Sequence, residues 1–240
     1  MVIPVPFFNK NLFIEKRFYY RNPIVSLGCD CHPAFMLDTL HLRKRSLPFD
    51  WLRTAPTKGL DFVTANFRDN FKDFLTNLSV NPDGHIVSEA FPYSEFYHDT
   101  ELITDPDDRE RYRRRIKRLL VLKAEKKIDY LYVLSLSDLI QGKTAEVFLG
   151  SIKAFLNEIK DIDTLHIYFR WESPRPEELI VFNYFTENTK PFPNVVICLY
   201  LRDMRTYGIW GNQEKYGELL SDLKISVRKK MLPGFYLVDK

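Results

Sequence analysis

Short apolar runs alternate along this chain with longer stretches in which apolar residues recur every three or four positions. Ile24-Val25-Ser26-Leu27-Gly28 is a compact apolar run ending in glycine, and it predicts a buried strand. Pro33 then suits the first position of a helix, where its missing N–H would be unpaired anyway. Ala34, Leu37 and Leu40 give that helix a buried face up to about Leu42. From Thr57 to Leu78, residues Leu60, Val63, Phe67, Phe71, Phe74 and Leu78 fall at helical spacing and predict a long helix. Asn81-Pro82-Asp83-Gly84 is a turn, followed by a short strand over His85 to Ala90. Pro106 to Lys126 is a further helix, with Tyr112, Ile116, Leu119 and Leu120 on its apolar face. Asp105, Asp107 and Asp108 sit at its start, where negative charge suits the helix dipole. Apolar strands at Tyr130–Leu134, Leu165–Phe169 and Val195–Leu201 then alternate with helices at Thr144–Lys160 and Gln213–Leu223, and Phe235 to Val238 reads as a last strand.

Apolar strands separated by amphipathic helices predict an α/β fold: a mostly parallel sheet with helices on both faces. The 240 residues fit a single domain, with 1–23 as an N-terminal extension. In such sheets ligands sit beyond the carboxyl ends of the strands, which is where Gly28 to His32 falls.

Charge and cysteine count narrow the function classes. A net charge of +3 is too small to imply nucleic acid, and the arginine run from Arg109 to Arg118 reads first as a solvated helix face paired to its own acids, such as Asp107–Arg111 and Glu110–Arg114. Three cysteines do not make a disulfide framework. The N-terminus lacks the pattern of a signal peptide, and no apolar run approaches the ~20 residues that span a bilayer. A reducing, cytoplasmic setting is therefore expected, in which a free thiol can act.

The candidate chemistry centres on Ser26 to Pro33. A thiol beside the N-terminus of the next helix would feel unpaired N–H groups and the dipole, which lower a thiol pKa. Cys31 holds that place, with Gly28 allowing a tight turn and leaving room for a ligand, and with Asp30 beside it as a further substrate-binding candidate. Cys29-x-Cys31-His32 lacks the second ligand pair of a zinc site, so no metal and no cofactor are expected. Downstream, Arg43, Ser46 and Asp50 can bind a polar substrate or tie a loop down, while Phe49 and Trp51 can wall a pocket or anchor the loop in the core. A cysteine nucleophile needs a nearby base. His98, in a polar segment and followed by Asp99, is the histidine whose context suits that role best.

These stretches resemble a family described as putative papain-like cysteine peptidases (domain of unknown function 1796). The resemblance rests on Ser26-Leu27-Gly28 with Cys31, on Leu42-Arg43 with Ser46 and Pro48-Phe49-Asp50-Trp51, and on His98-Asp99 before the basic helix at Arg113-Arg114-Arg115-Ile116. Trp210-Gly211 before an amphipathic helix fits too, so the likeness covers about Ile24 to Leu223. It implies Cys31 as nucleophile, His98 as base and Asp99 in the site, with Asp50 and Asp203 as other carboxylates able to orient the imidazole; Cys29 is a second thiol. It also implies an alternative fold, the papain-like α+β arrangement.

Three functions follow. The first is a cysteine hydrolase or acyltransferase acting on a small molecule, glycan or peptide. The second is a transferase or binding enzyme for nucleotide-linked or phosphorylated sugars, suited by a glycine-ended first strand and many aromatics. The third is a non-catalytic interaction module.

Overall fold

Four of the apolar runs lie side by side in the computed structural model, which describes residues 2–5, 10–15, 18–172, 175–229 and 234–239. The chain begins with strands β1 (Val2–Val5), β2 (Lys10–Glu15), β3 (Phe18–Tyr20) and β4 (Ile24–Ser26), then helix α1 (His32–Thr39). Next come β5 (Arg53–Thr54), helix α2 (Gly59–Arg68), β6 (Leu78–Val80), β7 (Ile86–Ser88), β8 (Phe91–Phe96) and helix α3 (Pro106–Glu125). The remainder is β9 (Asp129–Ser135), α4 (Thr144–Leu156), β10 (Thr164–Trp171), α5 (Pro176–Thr189), β11 (Val195–Leu201), α6 (Met204–Tyr207), α7 (Tyr216–Asp222), β12 (Val227–Lys229) and β13 (Gly234–Asp239).

Strands β11, β10, β9 and β4 form a parallel sheet in that order. Being covered on both faces, they are nearly continuous apolar runs. Ile167 and Phe169 of β10 and Tyr132 of β9 face α4 and α5: Phe148 lies 5.7 Å from Tyr132, and Phe185 stacks on Phe169 at 5.0 Å. Tyr168 points the other way, against His32 of α1, whose ring in turn meets Tyr216 of α7. All four strands run the same way, so their carboxyl ends share one edge.

The expectation of a mostly parallel sheet holds for this unit alone. The other described strands are antiparallel: β5-β8-β7-β6 in one sheet, β1-β2-β13 in a second and β12-β3 in a third. The strands expected over His85 to Ala90 and Phe235 to Val238 are present as β7 and β13, but most of the others are short or carry mixed polarity, as Phe91-Pro92-Tyr93-Ser94-Glu95-Phe96 does, and are not announced by an apolar run. The long helix expected over Thr57 to Leu78 is also corrected. A 3-10 turn at Pro56–Lys58 leads into α2, which stops at Arg68, and Asn70 and Phe71 then take positive φ angles of 54° and 64°. Phe71 and Phe74 keep their burial by folding onto Phe49, at 5.5 and 6.0 Å between ring centroids. Helical spacing marked Leu60, Val63, Phe67, Phe71 and Phe74 correctly as core, but Phe71 and Phe74 reach it from turns, and Leu78 is half-buried at the start of β6. Helix α5 fills what reads in sequence as a long connection; Pro176 at its start and Glu177 and Glu178 in its first turn are ordinary helix-start signals.

Candidate active site

The stretch from Gly28 to His32 crosses the carboxyl edge of the parallel sheet. Gly28 has φ +60°, and a Cβ there would lie 2.5 Å from the carbonyl oxygen of Phe49. Glycine is required twice over, by backbone conformation and by the approach of the Phe49 loop. That loop is clamped from within. Arg43 Nη1 donates to Ser46 Oγ (3.0 Å) and Asp50 Oδ2 (3.2 Å), and the Leu47 N–H donates to the same Asp50 oxygen (2.8 Å). The Arg43 guanidinium lies over the Trp51 ring at 5.3 Å, and Phe49 is fully buried. Arg43, Ser46 and Asp50 thus bond to one another and fix the loop against Gly28. Burial outweighs the Leu47 N–H and Arg43 at the Asp50 carboxyl and pushes its pKa up to about 6.

The two neighbouring thiols differ. Cys29 is buried, its Sγ 3.6 Å from the Thr54 carbonyl oxygen, and burial pushes its pKa up to about 12. Cys31 is half-buried and forms the N-cap of α1, with its side chain making no cap hydrogen bond. Asp30 caps instead: its Oδ1 accepts the His32 N–H at 2.9 Å, and its Oδ2 pairs with Arg170 Nη1 at 2.5 Å. The depressed thiol pKa expected for Cys31 is corrected. Desolvation first, and the Asp30 carboxylate second, push it up against the backbone N–H and Arg170, which pull it down. The helix end is present, but a carboxylate occupies it.

This ordering of causes predicts a direction. Asp30→Asn retains an oxygen for the His32 N–H, removes the carboxylate charge and leaves Arg170 unneutralised. Iodoacetamide labelling of Cys31 at pH 8 is expected to speed up several-fold, since each pH unit of pKa is about tenfold in thiolate. Unchanged or slower labelling of the folded variant would refute this account of the thiol.

His32 carries the opposite face of the site. Its Nδ1 lies 2.7 Å from Tyr168 Oη and its Nε2 3.1 Å from the Trp210 carbonyl oxygen, which also accepts from Tyr216 Oη at 2.5 Å. Phe35 of the same helix stacks on Trp210 at 3.8 Å. Both imidazole nitrogens are thus engaged in an aromatic box, and burial lowers the pKa to about 4.

His98 and Asp99 diverge. The exposed His98 ring stands edge-on to Trp51 at 6.0 Å and to Tyr97 at 5.1 Å. Asp99 turns into α3, where it accepts from Tyr112 Oη at 2.7 Å and from Arg111 Nη2 at 3.4 Å. Asp203 caps the Thr206 N–H at 3.1 Å and makes no hydrogen bond to an imidazole among the described residues. Among the described residues no hydrogen bond joins Cys31 to an imidazole, or His98 to a carboxylate.

What the edge does gather is a cavity of about 340 Å³. Asp30, Arg53, Tyr93, Glu95, Asp138 and Arg170 line it with Cys29. Strand pairing explains the convergence: β5 and β8 place Arg53 opposite Glu95, and the Thr54 N–H bonds the Cys29 carbonyl at 2.9 Å. Arg170 closes the floor; it is only 8% exposed and its Nε has no hydrogen-bond partner. Arg170 stands in no recognisable motif of the sequence. Its signal is an arginine ending the apolar run Leu165 to Phe169, a charge the sheet buries only against a partner.

A family model described as putative papain-like cysteine peptidase (domain of unknown function 1796) matches residues 22–177, well over half of the chain. The chain belongs to this family. The papain-like match takes in Cys31, the clamped Phe49 loop, His98 and Arg170, but ends before Trp210 and Tyr216, which complete the His32 box. An uncharacterized protein, R408, of Acanthamoeba polyphaga mimivirus is 38% identical over 50 residues, which are 21% of this chain and 22% of that one. The chain thus spans about a fifth of the curated relative it matches. No solved structure matches. Among the described residues, no three metal-binding side chains come together and no helix is long and apolar enough to cross a membrane.

Proposed function

We propose that this papain-like family member is a cysteine-dependent hydrolase or acyltransferase in which Cys31 is the nucleophile. One observation carries the reading: Cys31 is a thiol at a helix N-terminus on the carboxyl edge of the parallel sheet, half-accessible, its sulfur free of the cap hydrogen bond. Cys29, although it lines the cavity, and Cys198 both have their pKa pushed up to about 12 by burial, which disfavours either as a thiolate.

The raised Cys31 pKa fits a general-base route better than a preformed thiolate–imidazolium pair. The sulfur gives up its proton as it bonds to an acyl carbon. The leaving group departs with a proton from the conjugate acid of the base, and water or a second acceptor then cleaves the thioester. His98 is the proposed base, since its ring accepts no hydrogen bond among the described residues, whereas His32 has both nitrogens in use. Of the first-turn donors, the His32 N–H is taken by Asp30 and Pro33 has none, so Ala34 N–H and Arg170 are the groups proposed to face a developing oxyanion.

A panel of p-nitrophenyl esters read by intact mass tests this. A single acyl adduct on Cys31 is expected. Cys31→Ala should abolish turnover, and His98→Ala should lower it by roughly 10²–10⁴-fold with the fold intact. An adduct on Cys29 or Cys198, or turnover that survives in Cys31→Ala, would overturn the assignment.

A further inference from the structure

The arginine run of α3 is not, on one of its faces, neutralised by its own acids. Arg111 takes Asp108 at 2.5 Å and Asp99 at 3.4 Å, Arg113 takes Glu110 at 3.4 Å, and Arg109 donates to the carbonyls of Leu102 and Ile103. Asp108 and Glu110 are thereby engaged, Arg111 pairs with Asp108 in place of the expected Asp107, and neither Asp107 nor Glu125 forms an ion pair with the run among the described residues. Among the described residues Arg114, Lys117 and Arg118 have no ion pair, and the expected Glu110–Arg114 pair is replaced by Glu110–Arg113.

These three cations sit at i, i+3 and i+4 and so share one helix face, which Val121, 45% exposed, continues at i+7. With Arg45 and Lys126 they line a cavity of about 470 Å³ floored by Val121 and Leu122, in which Glu125 is the one acid. Arg45, Leu122 and Lys126 also line an adjoining cavity of about 340 Å³, which adds Arg21 and Lys44 over an apolar floor of Ile24, Leu37 and Leu47. The only acid there, Asp50, is buried and bonded to Arg43 and the Leu47 N–H. Pro23 and Ile24 lie at the start of β4, and Lys126 just precedes β9. The paired cavities are therefore at the amino edge of the parallel sheet, opposite Cys31. At about 3.3 Å per residue, the seven-residue β9 puts roughly 20 Å between the two edges.

We infer that this double cavity is a second binding site, for a phosphate monoester carried on an apolar or aromatic body. Unpaired cations around the rim suit the phosphate, and the aliphatic floor suits the body; a few converging charges over apolar walls are the usual make-up of a small-ligand site. A single-stranded nucleic acid fits less well, because it stacks on exposed aromatic faces. The lining offers only Tyr20, whose ring is covered by Lys44 at 5.0 Å. The concave shape likewise favours a compact ligand over a flat bilayer.

Equilibrium binding to the full chain tests the site with two matched pairs: adenosine 5′-monophosphate against adenosine, and dihexanoyl phosphatidic acid below its micelle concentration against dihexanoylglycerol. At least one phosphate is expected to bind tenfold or more tightly than its unphosphorylated partner and to weaken as salt rises. Which pair responds tells a nucleotide from a lipid phosphate. Arg45→Glu with Arg118→Glu should cost tenfold or more, with Arg45→Gln and Arg118→Gln as the milder pair should the reversal not fold. Cys31→Ala should bind as the parent does, which keeps this test separate from the nucleophile assignment. Neither phosphate exceeding its partner, full binding by the charge variants, or loss of binding in Cys31→Ala would each overturn the site.

Discussion

Gly28→Ala is expected to destabilise the protein by on the order of 3 kcal/mol or more. Two costs add. An L-residue at φ +60° costs roughly 1–2 kcal/mol. The new Cβ would also sit 2.5 Å from the Phe49 carbonyl oxygen, a backbone atom with no rotamer to change. Relief would need the Phe49 loop to move, yet Phe49 is wedged among Phe62, Phe67, Phe71 and Phe74, and Asp50 is bonded on both sides. Large losses of this kind come from strain that the core cannot relax. For a chain of this size the melting temperature should fall by roughly 6–12 °C. Gly142→Ala is the matched control: its φ is +56°, but no atom lies within 4 Å of the added Cβ. It should show the conformational part alone. Equal shifts in the two variants would mean that Phe49 does not press on Gly28.

The same contact explains why the glycine-ended strand and the Pro48-Phe49-Asp50-Trp51 stretch belong together in one chain: one supplies a gap, the other a carbonyl that fills it. That relation was not legible before the structure, because nothing in either stretch says that they touch. The parallel strands were legible, since burial on both faces leaves an apolar run with a fixed length. Of the antiparallel sheet of β5 to β8 only β7 was, as the short strand over His85 to Ala90; the other three are two to six residues long and partly exposed. Phe71 and Phe74 misled for a physical reason, in that burial constrains what a side chain touches and not the backbone that delivers it. At the site, the position of Cys31 at a helix start could be read from Pro33 alone. The state of its thiol could not, because Asp30 and Arg170 decide it and Arg170 arrives from a strand 140 positions away. His98 and Asp99 show the limit of reading neighbours as partners. Asp99 is committed to Tyr112 and Arg111, and His98 is left on Trp51.

The stability that His32 contributes should be lost as the pH drops from about 6.5 toward 4, while Asp50, its pKa raised to about 6, contributes in the opposite direction over much of the same range. The folded chain holds this imidazole neutral: burial lowers its pKa to about 4, with Arg170 and Arg202 adding to the fall and Asp30 and the Trp210 carbonyl opposing it. The unfolded chain takes up the proton at the ordinary value of 6.5. Between the two values this imidazole binds more protons in the unfolded state, so its contribution is complete above 6.5 and is lost as acid is added down to about 4. A difference of this size corresponds to about 3 kcal/mol. Denaturant titrations of the parent and of His32→Gln across that range isolate the contribution, because other groups titrate in both. The parent should lose stability relative to the variant, which is weaker at neutral pH for lack of the Tyr168 and Trp210 contacts and should converge on it in acid, with Asp50 titrating in both. Parallel curves would show that His32 is not held neutral. The consequence reaches Cys31, since His32 is the first residue of the helix that Cys31 caps. Charging the imidazole strains its place between Tyr168 and Trp210, so whatever chemistry Cys31 performs should fade over the same acid range and do so less in the variant.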